Sequence, residues 1–369
     1  MKATKKQLAF CTEHEISFDQ FIGKDIIEGD LDIDSVTELI EGFNPTVGGS
    51  LIMNSVTKLV KGFSPTVGNS LHLDSVTKLV EGFNPTVGGY LWMNSVKKLI
   101  EGFNPTVGGS LWMESVKKLI EGFSPTVGYS LSLNSVTKLV EGFNPTVGGS
   151  LSMNSVTEVI EGFNPIVGGY LTMNSVTKLV KGFNPTVGGG LWMNSVIELV
   201  EGFNPSVGVS LCMASVTDKD SISFTQINGD FIDFKNGYIL CDGIFMEVDS
   251  HRGNVWIGHK IGKKEKIFLV TDGNNKYAHG FTLKEAKEDL IFKVDVRRPD
   301  DFKHLTQESV LKMSEAVTAY RVVTGACGFG VKDYIKNRLP KEKKEFSMAE
   351  VIELTKDEYG GDRFSDFIG

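Results

Sequence analysis

Apolar and polar positions alternate along most of this chain in one unit, repeated every twenty positions. Phe43, Val47, Leu51, Met53, Val56 and Leu59 set a pattern of apolar positions that returns, coil after coil, at the same spacing. The phrase EGFNPTVGGS at 41–50 comes back letter for letter at 141–150. Leu51 and Met53 alternate with an outward residue, which predicts a short strand with two side chains facing in. Asn44-Pro45 and Gly48-Gly49 are turn signals. A unit with one short strand and two turns cannot bury its own apolar face, whereas stacked copies can, and that is a solenoid. Strands about 4.8 Å apart put nine coils over roughly 40–45 Å.

The pattern changes at both ends. Thr4-Lys5-Lys6-Gln7 and Ser17-Phe18-Asp19-Gln20 both match the capping box, so two short helices are expected to cover the first coil. The repeat's rhythm begins near Ile27 and fades after Val216. Beyond it, strand-like runs at 221–225, 231–234, 238–241, 244–248, 255–261 and 267–271 are separated in several places by Asn-Gly or Asp-Gly, a hairpin signal. Helical periodicity follows at 282–294, 306–324, 331–339 and 348–356. The expected architecture is therefore a small N-terminal helical cap over 1–26, a β-solenoid of nine to ten parallel-strand coils over 27–216, and a C-terminal α+β domain over 217–369.

The unit Leu51-x-Met53-x-x-Val56-x-x-Leu59 resembles the short bacterial class of leucine-rich repeats, whose unit has the same length. Asn54 stands directly after the strand, not where that class carries its asparagine ladder, so a plain parallel β-helix is the alternative coil. The phrase GFNPTVGG also resembles repeats in proteins of gut bacteria and their phages. That resemblance covers residues 1–216 and implies no biochemical activity. A phage-encoded inhibitor of a host defence protein is the setting it would suggest.

Composition narrows the function. The formal net charge is -8, and no arginine occurs before Arg252, so the repeats lack the side chain best suited to phosphates and bases. No nucleic-acid partner is expected for them. Cys11, Cys212, Cys241 and Cys327 have no CxxC spacing and read as reduced thiols of a cytoplasmic protein. No run approaches the ~18 apolar residues of a membrane span, and none resembles a signal peptide. No cofactor is expected. His251, His259, His279 and His304 show no metal-ligand spacing.

Candidate chemistry lies in the letters that vary. The outward position between Leu51 and Met53 reads Ile52, His72, Trp92, Trp112, Ser132, Ser152, Thr172, Trp192 and Cys212 down the stack. The position before it, read as outward too, is serine in most coils but Tyr90, Tyr170 and Gly190 in three. Exposed aromatics on a rigid sheet are the material of binding hot spots. Tyr90, Trp92, Trp112, His72, Tyr129, Tyr170 and Trp192 are the candidate binding residues, and the expected partner is a protein. The bland alternative is that the tryptophans only stack on each other. The Lys58 column is mostly lysine, and the Lys61 column is mostly glutamate from Glu81 onward. Together they read as a solvated, largely self-neutralising edge, of little energetic weight. Threonine columns from Thr46 and Thr57 are interrupted at Ile166, Ser206, Lys97, Lys117 and Ile197, and are read as lying at turns.

The second reading is an enzyme, with a catalytic C-terminal cysteine domain and a substrate-selecting solenoid. Cys327 stands in a glycine-rich turn, and His279 would be its base. No family signature surrounds Cys327. It precedes Gly328-Phe329, unlike the Cys-x-Asp setting of the cysteine ubiquitin ligases that some bacterial effectors join to leucine-rich repeats. The favoured reading is a non-enzymatic recognition scaffold.

Overall fold

Each coil of the repeat folds into two short parallel strands, not one. In the coil that begins at Gly42 they are Thr46–Val47 and Leu51–Ile52. In the computed structural model these strands stack into an eleven-stranded and a ten-stranded parallel sheet. Each strand pairs in register with its copy in the next coil, as Leu111 does with Leu91 and Leu131. The chain is thus a parallel β-solenoid. The structure describes residues 3–217, 222–226, 231–233, 237–241, 244–261, 263–274, 276–294, 298–326, 328–339 and 343–369.

The sequence reading placed Thr46 and its copies at turns, and the structure corrects that. Val47 points into the core at 1% exposure. Its carbonyl accepts the Gly68 N–H of the next coil at 2.7 Å. Phe43, Pro45 and Val47 do alternate inward, but the Asn-Pro and Gly-Gly turn signals on either side masked the strand.

Three sets of columns hold the coils together. Phe43 and its copies to Phe203 form a file of offset-stacked rings, with neighbouring centroids 5.8–6.3 Å apart. Asparagines form two ladders. Asn154 donates its backbone N–H to Asn134 Oδ1 at 3.2 Å, and Asn104 donates likewise to Asn84 at 2.9 Å. Glycines are fixed for two different reasons. Gly42 and its copies to Gly202 take φ between +75° and +86°, a conformation that costs L-residues energy. At Gly68 and its later copies φ is ordinary, but a Cβ would overlap the carbonyl oxygen of the glycine one coil below.

The N-terminal cap continues the same file of rings. Helices Lys5–Glu13 and Phe18–Phe21 both form the predicted capping boxes, through Thr4 with Gln7 and Ser17 with Gln20. Their Phe10 and Phe21 rings each stand 5.3 Å from Phe43 and cover the open end of the core.

After the repeat, strands Phe231–Asp233, Tyr238–Cys241, Ile244–Arg252, Val255–Lys260, Lys266–Thr271 and Tyr277–Gly280 follow one another in a six-stranded sheet. Ser221 and Phe234, ends of two predicted strands, lie outside the described residues. The chain divides into two compact units. The first is Met1–Glu247 with His259–Lys264, and so runs past the end of the repeat at Val216. The second is Val248–Gly258 with Glu265–Gly369.

Within the first unit, the hairpin after the repeat packs on the glycine column. A Cβ on Gly148 would stand 2.9 Å from the Phe245 ring, and one on Gly188 would stand 2.9 Å from Leu240. Ile166, which interrupts the Thr46 column, belongs to the cluster of Phe245, Ile261, Tyr238 and Leu240.

In the second unit, helix Leu283–Val294 packs on strand Tyr277–Gly280. Helices Met313–Thr324, Met348–Thr355 and Gly361–Ile368 enclose a core with Tyr320, Phe346 and Phe364. The helix expected over 306–324 begins only at Met313, because Val310–Lys312 pairs antiparallel with Glu345–Ser347. That pairing joins distant segments, so no local pattern announces it. Helix Gly361–Ile368 was not predicted.

Candidate functional site

The strand Leu51–Ile52 and its copies place one residue per coil outward in strict register. Four of the seven sequence candidates meet there. Trp92 and Trp112 pair across adjacent strands, with rings 5.0 Å apart and 14° from parallel. Tyr90 lies 5.4 Å from Trp92 and 5.6 Å from Trp112, bridging the pair. His72 stacks on the other side of Trp92 at 4.2 Å. Tyr90 is 42% exposed, whereas Trp92, Trp112 and His72 are half-buried, mostly against each other. Burial pushes the His72 imidazole below its ordinary range, against the upward pull of Asp74 and Asp34.

Tyr170 and Trp192 form a second cluster four coils further on, with rings 5.5 Å apart and both residues 39% exposed. Gly190 makes that contact possible, since a Cβ there would stand 3.0 Å from both Tyr170 Cδ1 and Trp192 Nε1. Tyr129 is 62% exposed and joins neither cluster, lying instead against Gly149 in the next coil.

The serine column before the strand is corrected by the structure. It was read as outward, yet Ser50, Ser70 and Ser110 are buried. The strand starts at Leu51, so position 50 sits at a corner rather than in the alternation. There the hydroxyl accepts a backbone N–H from the next coil, as Ser110 does from Ser130 at 3.2 Å and Ser70 from Tyr90 at 3.3 Å. Ser132 is buried too, bonded to Glu114.

Three residues vary together with the tryptophans and were not named as site residues. Position 57 is threonine in Thr37, Thr57, Thr77, Thr137, Thr157 and Thr177, and departs from it at Lys97, Lys117 and Ile197. Those are the three coils that carry Trp92, Trp112 and Trp192. Lys97, Lys117 and Ile197 are all exposed, and neither lysine is within ion-pair distance of a described carboxylate. The signal was present as an interruption of the threonine column. It gains meaning only when set beside the tryptophan column.

The ionic edge is as expected at its ends. Lys58 pairs with Glu38 at 2.6 Å, Lys61 with Glu81 at 2.8 Å, and Lys181 with Glu201 at 3.8 Å, all between successive coils.

In the second unit, Cys327 lies outside the described residues. His279 is buried in strand Tyr277–Gly280, opposite Leu269. The nearby chemistry is a lock. The buried Asp289 carboxylate binds the Arg321 guanidinium and accepts the Gly328 N–H at 2.8 Å. Arg321 also donates to the Ala326 carbonyl at 3.2 Å and lies 3.8 Å over the Phe292 ring. Among the described residues no three His, Cys, Asp or Glu side chains converge as a metal site requires, and no helix is long and apolar enough to cross a membrane. No family model, curated protein or solved structure matches the chain.

Proposed function

We propose that the protein is a non-enzymatic recognition scaffold of the cytoplasm, which binds a protein partner through the outward face of the Leu51-type strands. The observation that supports this most is the Trp92–Trp112 stack bridged by Tyr90. Core columns repeat in nearly every coil, whereas aromatics in the outward columns mark particular coils, and a partner can tell coils apart only there. A central tryptophan covered by a partner contributes about 2 kcal/mol or more to binding. Stacking within the sheet contributes about 0.5–1.5 kcal/mol to stability. The likeness of the repeat to phage sequences favours one setting, a phage-encoded inhibitor of a host defence protein.

The test compares two baits in pulldown from the host, the native chain and Trp92→Ser/Trp112→Ser. Serine already occupies that column at Ser132 and Ser152. A protein captured by the first and lost by the folded second supports the reading. Equal capture of the same proteins by both would remove it.

A further inference from the structure

Departures from a strict repeat need a cause, and one of them shows what kind. Ile166 replaces threonine in its column where Phe245, Tyr238 and Leu240 of the same chain pack on the solenoid. There a change of letter marks a contact. The paired changes at Trp92 with Lys97, Trp112 with Lys117, and Trp192 with Ile197 follow the same logic, but the ring contacts of these tryptophans are with aromatic neighbours in the same columns. Lys97, Lys117 and Ile197 point to solvent.

The two clusters differ in chemistry. Coils beginning at Gly82 and Gly102 carry the stacked indoles and, past the turn that follows each strand, the exposed Lys97 and Lys117, with Lys98 and Lys118 next in sequence. The coil beginning at Gly182 presents Trp192 with Ile197, which is 56% exposed, and the next coil adds Val209 at 62%. Between the clusters the outward column carries only Ser132, Ser152 and Thr172, short side chains of which Ser132 is buried and bonded to Glu114. From Trp112 to Trp192 is four coils, or roughly 19 Å at about 4.8 Å per strand. An extended chain rises about 3.3 Å per residue, so about six residues span that distance.

We infer that this face takes an extended peptide segment of a partner protein, with acidic side chains opposite Lys97 and Lys117 and an apolar side chain about six residues away against Trp192 and Ile197. The inference rests on the recognition role proposed above and adds the partner's chemistry. Charge complementarity favours an acidic peptide over a nucleic acid. Glu114 lies between Trp112 and Lys117 in the sequence, and Glu101, Glu121, Glu141 and Glu161 form an exposed acidic row at one position of successive coils. A continuous polyanion would meet that row, whereas a short acidic stretch need not.

The experiment selects from a displayed library of random twelve-residue peptides against the full chain, with Trp92→Ser/Trp112→Ser as counter-selection. Enriched peptides are expected to carry Asp or Glu near one end and an aromatic or aliphatic residue about six positions away. Lys97→Thr/Lys117→Thr should weaken a selected peptide about five- to tenfold and flatten its salt dependence. Ile197→Thr should weaken it without changing the salt dependence. Peptides lost in the tryptophan variant but free of acidic bias would overturn the partner's chemistry and leave the recognition face standing. No enrichment over the tryptophan variant would overturn both. Tighter binding of a mixed-sequence single-stranded oligonucleotide than of any peptide would also overturn the inference.

Discussion

The solenoid and the second unit reach stability by opposite routes. In the solenoid no single contact is special: each phenylalanine, asparagine and glycine does again what its copy in the preceding coil does, and every coil depends only on its neighbours. The second unit has contacts that occur once, chief among them the Asp289–Arg321 pair that ties helix Leu283–Val294 to helix Met313–Thr324, with the Gly328 N–H bonded to the same carboxylate. Repetition makes the first region tolerant on its surface and strict inside. Uniqueness makes the second vulnerable at single points.

The sharpest way to break that comparison is Asp289→Ala. It removes the carboxylate from Arg321 and from the Gly328 N–H, and loss of one partner of a buried pair costs about 3–5 kcal/mol. Denaturant titration should show the second unit's transition moving while the solenoid's stays in place. A common shift of both would mean that the units are not independent. Phe123→Ala removes one ring from the file and should cost about 3–5 kcal/mol as well. Its loss should appear in hydrogen exchange as reduced protection in the adjoining coils, fading with distance along the stack. Uniform loss over the whole chain would contradict nearest-neighbour stability.

Smaller effects separate the two reasons for glycine. A Cβ on Gly142 meets nothing within 4 Å, so Gly142→Ala should cost only the about 1–2 kcal/mol of a left-handed residue. Gly128→Ala should cost more, because its Cβ meets the backbone of Gly108. Reversal of that order, measured by thermal melting, would show that close approach between coils is not what fixes the second column.

The smallest expected effect is a pH dependence at the aromatic cluster. The folded His72 has its pKa depressed below the unfolded value of ~6.5, so the unfolded chain takes up a proton first as pH falls. Stability is full above ~6.5 and declines as pH falls toward the folded pKa. Tryptophan fluorescence should titrate with a midpoint below ~6.5, since His72 stacks on Trp92. His72→Ser should abolish that step. Its persistence in the variant would assign it to another group.

The solenoid was legible because its signal is repeated. One alternation of Leu with Met or Leu is weak, but nine in register define a period, and the two capping boxes fixed the N-terminal helices. What escaped was set by geometry shorter or longer than the pattern. The strand at Thr46–Val47 lies between turn signals that hid it, and Ser50 sits at a corner one residue before its strand. Val310–Lys312 depends on Glu345–Ser347, far along the chain. Of the candidate site, the Trp92–Trp112–Tyr90 cluster was readable from column and register alone. The coincidence of Lys97, Lys117 and Ile197 with the tryptophan-bearing coils was not, because a threonine column read by itself shows only an interruption.

The central claim is that inside columns make the fold and outward columns make the function. It is tested most directly by titrating a purified partner, recovered by pulldown, against native protein and Trp92→Ser/Trp112→Ser, with the melting of both recorded alongside. The double variant should keep its fold, and its affinity should fall by about 30-fold or more, the equivalent of about 2 kcal/mol. Unchanged affinity in a stably folded double variant would contradict the account.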